Sequence, residues 1–214
     1  MIDHYCERTA QGLLNEPINA LTNLFFVVAA VCFWRHAQKL SRGSIGLGNS
    51  VLAVLMVCIA IGSTVFHTFA TPFAQSLDVL PIMTLQLVWL WLYLKRIMRV
   101  RPAARFVLTL GYLFLSVVFS MLPDPTPGSM GYLGPLLVIT LLGIYHKDHA
   151  PREPQLLYMM AGLFFVSLIF RSVDLASCQF VPFGTHFVWH ILNAIVLYGV
   201  CRTVVLDNKT NANR

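Results

Sequence analysis

Three histidines at two distant places in the chain have the spacing of a metal site. His186 and His190 stand in Gly184-Thr185-His186-Phe187-Val188-Trp189-His190. Residues four apart share one face of a helix, so both rings can point at one atom. His67 closes the stretch Gly62-Ser63-Thr64-Val65-Phe66-His67, and Asp78 follows after a short turn. Zinc accepts neutral imidazole nitrogen at about 2.0–2.1 Å, and three protein ligands leave a fourth position for water. A carboxylate and a hydroxyl beside that position suit hydrolysis: one moves a proton, the other donates to a developing oxyanion. A lone histidine in an apolar segment more often bonds to backbone or faces headgroups. The trio together with Ser63 and Asp78 carries the metal reading.

The segments that must position these residues are strongly apolar. The chain has 214 residues, 57% hydrophobic and 11% charged, with a mean hydropathy of +0.70. Soluble domains run near 25% charged, so this chain cannot cover a water-facing surface. Apolar stretches near the length of a bilayer span recur along its whole length. They are read as residues 18–36, 47–69, 77–94, 103–122, 130–146, 155–173 and 183–204, with Pro72, Pro102, Pro123, Pro125, Pro151 and Pro182 at the joins. The prediction is an all-α, polytopic seven-transmembrane-helix bundle. It forms a single transmembrane domain over 1–214, with a short outer segment 1–17 and a disordered polar tail from about 207 to 214. The second span runs outward and the seventh inward. Ser63, His67, Asp78, His186 and His190 therefore fall at similar depth, with Asp78 opening the third span. Ionisable groups inside a span cost roughly 2.5–3.5 kcal/mol, so their presence points to function. Asn19 and Asn23, four apart on the first span, read as interhelical hydrogen-bonding residues.

The net charge of +6 resides in short loops and is no sign of a nucleic-acid partner. Arg35, Lys39 and Arg42 lie in the first connection, and Lys95, Arg96, Arg99, Arg101 and Arg105 in the third. Lys147 and Arg152 lie in the fifth, and Arg202, Lys209 and Arg214 in the tail, against Arg8 and Arg171 on the other side. This bias places the N-terminus outside and the C-terminus in the cytoplasm. The first segment carries Asp3, Glu7 and Glu16 against Arg8. It lacks the basic region of a signal peptide, so the first apolar stretch is expected to stay as a helix. Cys6 and Cys178 both fall on the outer side. They form a disulfide if that side is oxidising, or remain two free thiols.

At these residues the sequence resembles the alkaline ceramidases. More distantly it resembles the seven-helix membrane hydrolases that include the adiponectin-receptor and progestin-receptor-like proteins. The resemblance rests on Tyr5-Cys6-Glu7 in the acidic N-terminal segment, Glu16-xx-Asn19-xxx-Asn23, Ser63-xxx-His67, Asp78 and His186-xxx-His190. It implies catalytic zinc on His67, His186 and His190, with Ser63 and Asp78 flanking the reacting water. It further implies calcium held by Asp3, Glu7 and Glu16, with the Tyr5 backbone and Thr9 nearby. The chain departs from the family where Thr9 replaces an expected Asn, and its stretch between Glu7 and Glu16 is shorter. The implied activity is hydrolysis of the amide of a ceramide-like lipid in the bilayer, giving a sphingoid base and a fatty acid. Two other readings stay open. One is a heptahelical receptor or transporter with a structural zinc site that Asp78 closes. The other is a hydrolase of a different lipid amide or ester.

Overall fold

The computed structural model describes residues 2, 4–10, 12–41, 45–124, 126, 128–150 and 152–206. Asp3 and the tail 207–214 lie outside the described residues. The fold is all-helical. In order come α1 (Pro17–Thr22), α2 (Leu24–Leu40), α3 (Leu47–Phe69), α4 (Pro72–Arg96) and α5 (Pro102–Ser120). A 3-10 turn (Met130–Tyr132) then leads into α6 (Leu133–His149), α7 (Leu156–Ser172), the short α8 (Asp174–Ser177) and α9 (His186–Arg202). α1 and α2 meet at Asn23 and form one rod, Pro17–Leu40. Helices are the natural answer to this sequence, because in lipid every backbone N–H and C=O must be satisfied within the protein.

Among the described residues, seven long rods lie at the seven apolar stretches. Pro17–Leu40, Leu47–Phe69, Pro72–Arg96 and Pro102–Ser120 are long and apolar enough to cross a membrane. α6, α7 and α9 have 17 residues each. At 1.5 Å per residue each is about 26 Å long, at the lower limit for a spanning helix. The outer faces suit lipid: on α5, Val107 and Phe114 are 66% and 71% exposed, and Met121 just past its end is 78% exposed, a surface water would penalise.

The rods close into a ring. α2 packs on α3, α3 on α4, α4 on α5, α5 on α6, α6 on α7, α7 on α9, and α9 returns to α2. Phe33, Leu52, Met56, Leu85, Tyr93 and Leu157 fill the interior. The Trp89 indole ties α4 to α9 by donating to the Val200 carbonyl at 2.9 Å. A disulfide joins Cys6 to Cys178, which settles the alternative left open by the sequence. It fastens the N-terminal segment to the connection between α8 and α9.

One boundary differs from expectation. The third span was placed at 77–94, with Asp78 at its opening, but α4 begins at Pro72. Thr71 caps it, its side chain accepting from the Ala74 N–H at 3.1 Å, and Pro72 takes the first turn, where a missing N–H costs nothing. The proline read as punctuation is a helix start, so Asp78 sits in the second turn.

Gly62 lets α4 come close enough to matter. A Cβ there would collide with the Leu77 carbonyl and crowd the Asp78 N–H. The absent side chain brings the Asp78 turn against Ser63. Gly62→Ala should therefore cost about 1–3 kcal/mol, the usual range for overpacking, and push Asp78 away from its neighbour. A lowered melting midpoint with reduced turnover is the expected result; an unchanged midpoint would show that the contact relaxes freely.

Candidate active site

The ends of three rods and the N-terminal segment build one buried polar centre. His67 stands in the last turn of α3, and His186 and His190 occupy the first two turns of α9. Their exposures are 1%, 1% and 2%. One ligand-capable nitrogen from each lies within 4.8 Å of the others. The ring centroids are 5.2 Å apart for His67 and His186, 4.9 Å for His67 and His190, and 4.6 Å for His186 and His190.

Each ring is held from behind. Glu16 Oε2 accepts from His67 Nδ1 at 2.5 Å; a carboxylate only accepts, so the proton is on Nδ1 and the Nε2 lone pair is free. Thr22 Oγ1 lies 2.9 Å from His190 Nδ1 and donates its own hydrogen to the Ile18 carbonyl, also at 2.9 Å. With the Thr22 hydrogen on that carbonyl or on the Asn19 carbonyl at 3.0 Å, His190 Nδ1 acts as the donor and leaves Nε2 for a metal. His186 stacks on the Tyr5 ring, centroids 3.7 Å apart, and its Nδ1 has no hydrogen-bond partner among the described residues. Asp174 starts α9 from across the connection. Its carboxylate accepts the N–H of Thr185 at 2.6 Å, of His186 at 2.8 Å and of Cys6 at 2.9 Å. Gly184, at φ +67°, makes room for it.

Ser63 is buried one turn before His67, and its hydroxyl faces the Asp78 carboxylate. Asp78 is half-buried. It lines a small cavity shared with Ser63, His186 and His190, and also a cleft of about 250 Å³ between α4, α5 and the 3-10 turn. A third, apolar cavity of about 60 Å³ runs deeper, past Leu85, Trp89, Phe164 and Leu197. Ile82 and Tyr132 stand on the walls of all three spaces, so the polar centre adjoins apolar room.

The acidic N-terminal residues have other partners. Glu7 accepts from the Ile18 N–H at 2.6 Å and the Asn19 N–H at 2.8 Å, at the start of α1. Burial pushes its carboxyl above the usual range, against those two bonds. Burial also works on Glu16, but the hydrogen bonds from His67 and Arg8 outweigh it and hold that carboxyl below the usual range. Burial raises the Tyr5 phenol. Tyr5 is buried and Thr9 is exposed. Asn19 and Asn23, read as interhelical, bond locally: Asn19 Nδ2 reaches Glu16 Oε2 at 3.3 Å, and Asn23 Nδ2 reaches the Asn19 carbonyl at 3.1 Å.

Two contributors were not singled out from the sequence. The ring of Tyr5 packs on a candidate ligand. Arg171, at the end of α7, holds its guanidinium over Tyr5, Tyr132 and Trp189 at 5.2–5.7 Å and lines the cavity beside Asp78. From the sequence, Arg171 reads as the partner of Asp174 three residues on in an ordinary ion pair, whereas the Asp174 carboxylate accepts the N–H groups of Thr185, His186 and Cys6.

Compared with individually curated proteins, the chain matches none. Its match to a protein family runs over residues 3–213, and so takes in every helix of the ring and all the residues around the three imidazoles. That family is described as ceramidase, and the protein belongs to the ceramidase family.

Proposed function

We propose that the protein is a zinc-dependent membrane amidase that hydrolyses ceramide-like lipids to a sphingoid base and a fatty acid. Family membership gives the coarser part, a ceramide-hydrolysing membrane enzyme. Zinc and the roles of single residues rest on chemistry. The observation that carries them is the cluster of three buried imidazoles within 4.8 Å, beside a half-buried carboxylate that opens on a cleft of about 250 Å³.

The donor set fits zinc. Two rings are held at Nδ1, His67 by the Glu16 carboxylate and His190 by the Thr22 hydroxyl, the usual outer support of a histidine ligand. The third has a buried nitrogen without a partner, a costly arrangement unless something binds there. His67, His186 and His190 are the ligands in this reading. Bound zinc lowers the pKa of its water from 15.7 to about 7 and polarises a carbonyl.

The residues of the chain do the rest. The cleft beside Asp78 receives the lipid around its amide, and the apolar cavity past Leu85 and Trp89 has room for a short stretch of one hydrocarbon chain. Asp78 accepts the proton of the attacking water and passes it to the amide nitrogen as the C–N bond breaks, so the amine leaves neutral. Ser63 holds Asp78 at rest and can turn its hydroxyl to the developing oxyanion. The test is metal analysis and turnover on the same purified protein, with a panel of lipid amides and esters. About one zinc per chain and preference for ceramide are expected. A metal-free protein after mild preparation would overturn the zinc reading, and preference for an ester would move the substrate class.

We also propose an orientation from the loop charges. The N-terminus and the histidine site face outward and the C-terminus lies in the cytoplasm. A reporter active only in the cytoplasm should work when fused to the C-terminus and fail at the N-terminus. The reverse pattern would put the site on the cytoplasmic face.

A further inference from the structure

The resemblance to alkaline ceramidases puts calcium among Asp3, Tyr5, Glu7, Thr9 and Glu16. The described members of that set do not fit it. Calcium takes six to eight oxygens at 2.3–2.6 Å. Both oxygens of Glu16 face N–H groups, Oε1 at 2.6 Å from Arg8 Nε and Oε2 at 2.5 Å from His67 Nδ1. Both oxygens of Glu7 face the N–H groups of Ile18 and Asn19. Thr9 points to the exterior.

A cation already stands among these oxygens. Arg8 is 6% exposed. Besides Glu16, its guanidinium donates to the His67 carbonyl at 3.0 Å and reaches toward the Gly12 carbonyl at 3.5 Å. Arg8 therefore grips His67 twice: directly by its carbonyl at the end of α3, and through Glu16 by its ring. A positive charge at a helix C-terminus is favourable. A guanidinium keeps that charge at every relevant pH and presents its donors as a rigid fork.

We propose that Arg8 is a built-in cation in the place of calcium. It neutralises Glu16, holds the end of α3, and thereby positions His67 as a zinc ligand. The zinc half of this inference rests on the functional reading above; the calcium half does not.

The test uses the full chain in detergent or nanodiscs, prepared without chelators, which would take zinc. Calcium and zinc are counted together, calcium is titrated by calorimetry, and the melting midpoint is followed with and without added calcium. The wild type is expected to carry no calcium, give no calcium heat and melt at the same temperature in both buffers. Arg8→Ala should weaken zinc binding roughly 10–100-fold, the usual effect of losing an outer partner of a ligand. Added methylguanidinium should restore it, which a merely structural residue would not allow. Arg8→Lys keeps the charge but not the fork, and should fall between; it is the variant to read if Arg8→Ala does not fold. Calcium bound to the wild type, or a midpoint raised by calcium, would overturn the replacement. Unchanged zinc affinity in a folded Arg8→Ala would overturn the positioning of His67. A wild type without zinc would remove the zinc half, and the calcium titration would still decide the other.

Discussion

Asp78→Asn is expected to keep its zinc and lose ceramide hydrolysis by roughly 10²–10⁴-fold, the usual worth of general acid–base help. Asn matches Asp in size and keeps an oxygen that can face the Ser63 hydroxyl, so the cavity should survive. What it cannot do is take a proton from water and return it to the amide nitrogen. The position of Asp78 makes this a sharp test. The metal-competent group among the described residues is the three histidines, and Asp78 is not part of it. It approaches from α4, across the close contact at Gly62. Ser63→Ala should also retain zinc, with a loss nearer the roughly 10²–10³-fold of one oxyanion donor. Zinc content and turnover must come from the same preparations. If Asp78→Asn sheds its zinc, Asp78 is a fourth ligand and the site is closed, as in a receptor or transporter with structural metal. Unchanged turnover would end its assignment as the proton carrier.

The parts of this site that follow local rules were legible in the sequence. Seven apolar runs become seven rods because an isolated backbone in lipid has few alternatives to a helix. His186 and His190 share a face because both lie in the first turns of one helix. The short connection between α3 and α4 brings Ser63, His67 and Asp78 to one end of the bundle. What was not legible depends on contacts between distant segments. Glu16 and His67 are 51 positions apart, and Thr22 and His190 are 168 apart. Asp174 supports the start of α9 from outside that helix. No spacing rule marks such partners; they appear only when the ring of helices closes. Arg8 is the clearest case. In the sequence it is one basic residue in an acidic segment. In the structure it is the cation that Glu16 faces, while Glu7 is engaged by the N–H groups of Ile18 and Asn19.

His186→Ala is expected to remove most of the bound zinc, and hydrolysis with it. Two ligands remain on different helices, and a two-histidine site is far weaker than the three-ligand arrangement of catalytic zinc. The required control is a histidine equally withdrawn from solvent but away from the cluster, and His146 provides it. It is 1% exposed, as His186 is. It lies on α6, with its Nδ1 at 3.1 Å from the Tyr93 hydroxyl. His146→Ala takes one partner from Tyr93, whose hydroxyl keeps the Leu142 carbonyl at 3.4 Å, and should lower stability by about 0.5–1.5 kcal/mol, the net worth of one hydrogen bond. It should not change the zinc count. His186→Ala gives up its stacking on Tyr5, so some loss of stability is expected there too, and the melting midpoint alone cannot separate the two variants. Metal content can. Wild-type zinc in His146→Ala, with little or none in a folded His186→Ala, marks a ligand rather than a packed core histidine. Equal zinc in both variants would mean that His186 does not hold the metal, and the three-histidine centre would fall with it.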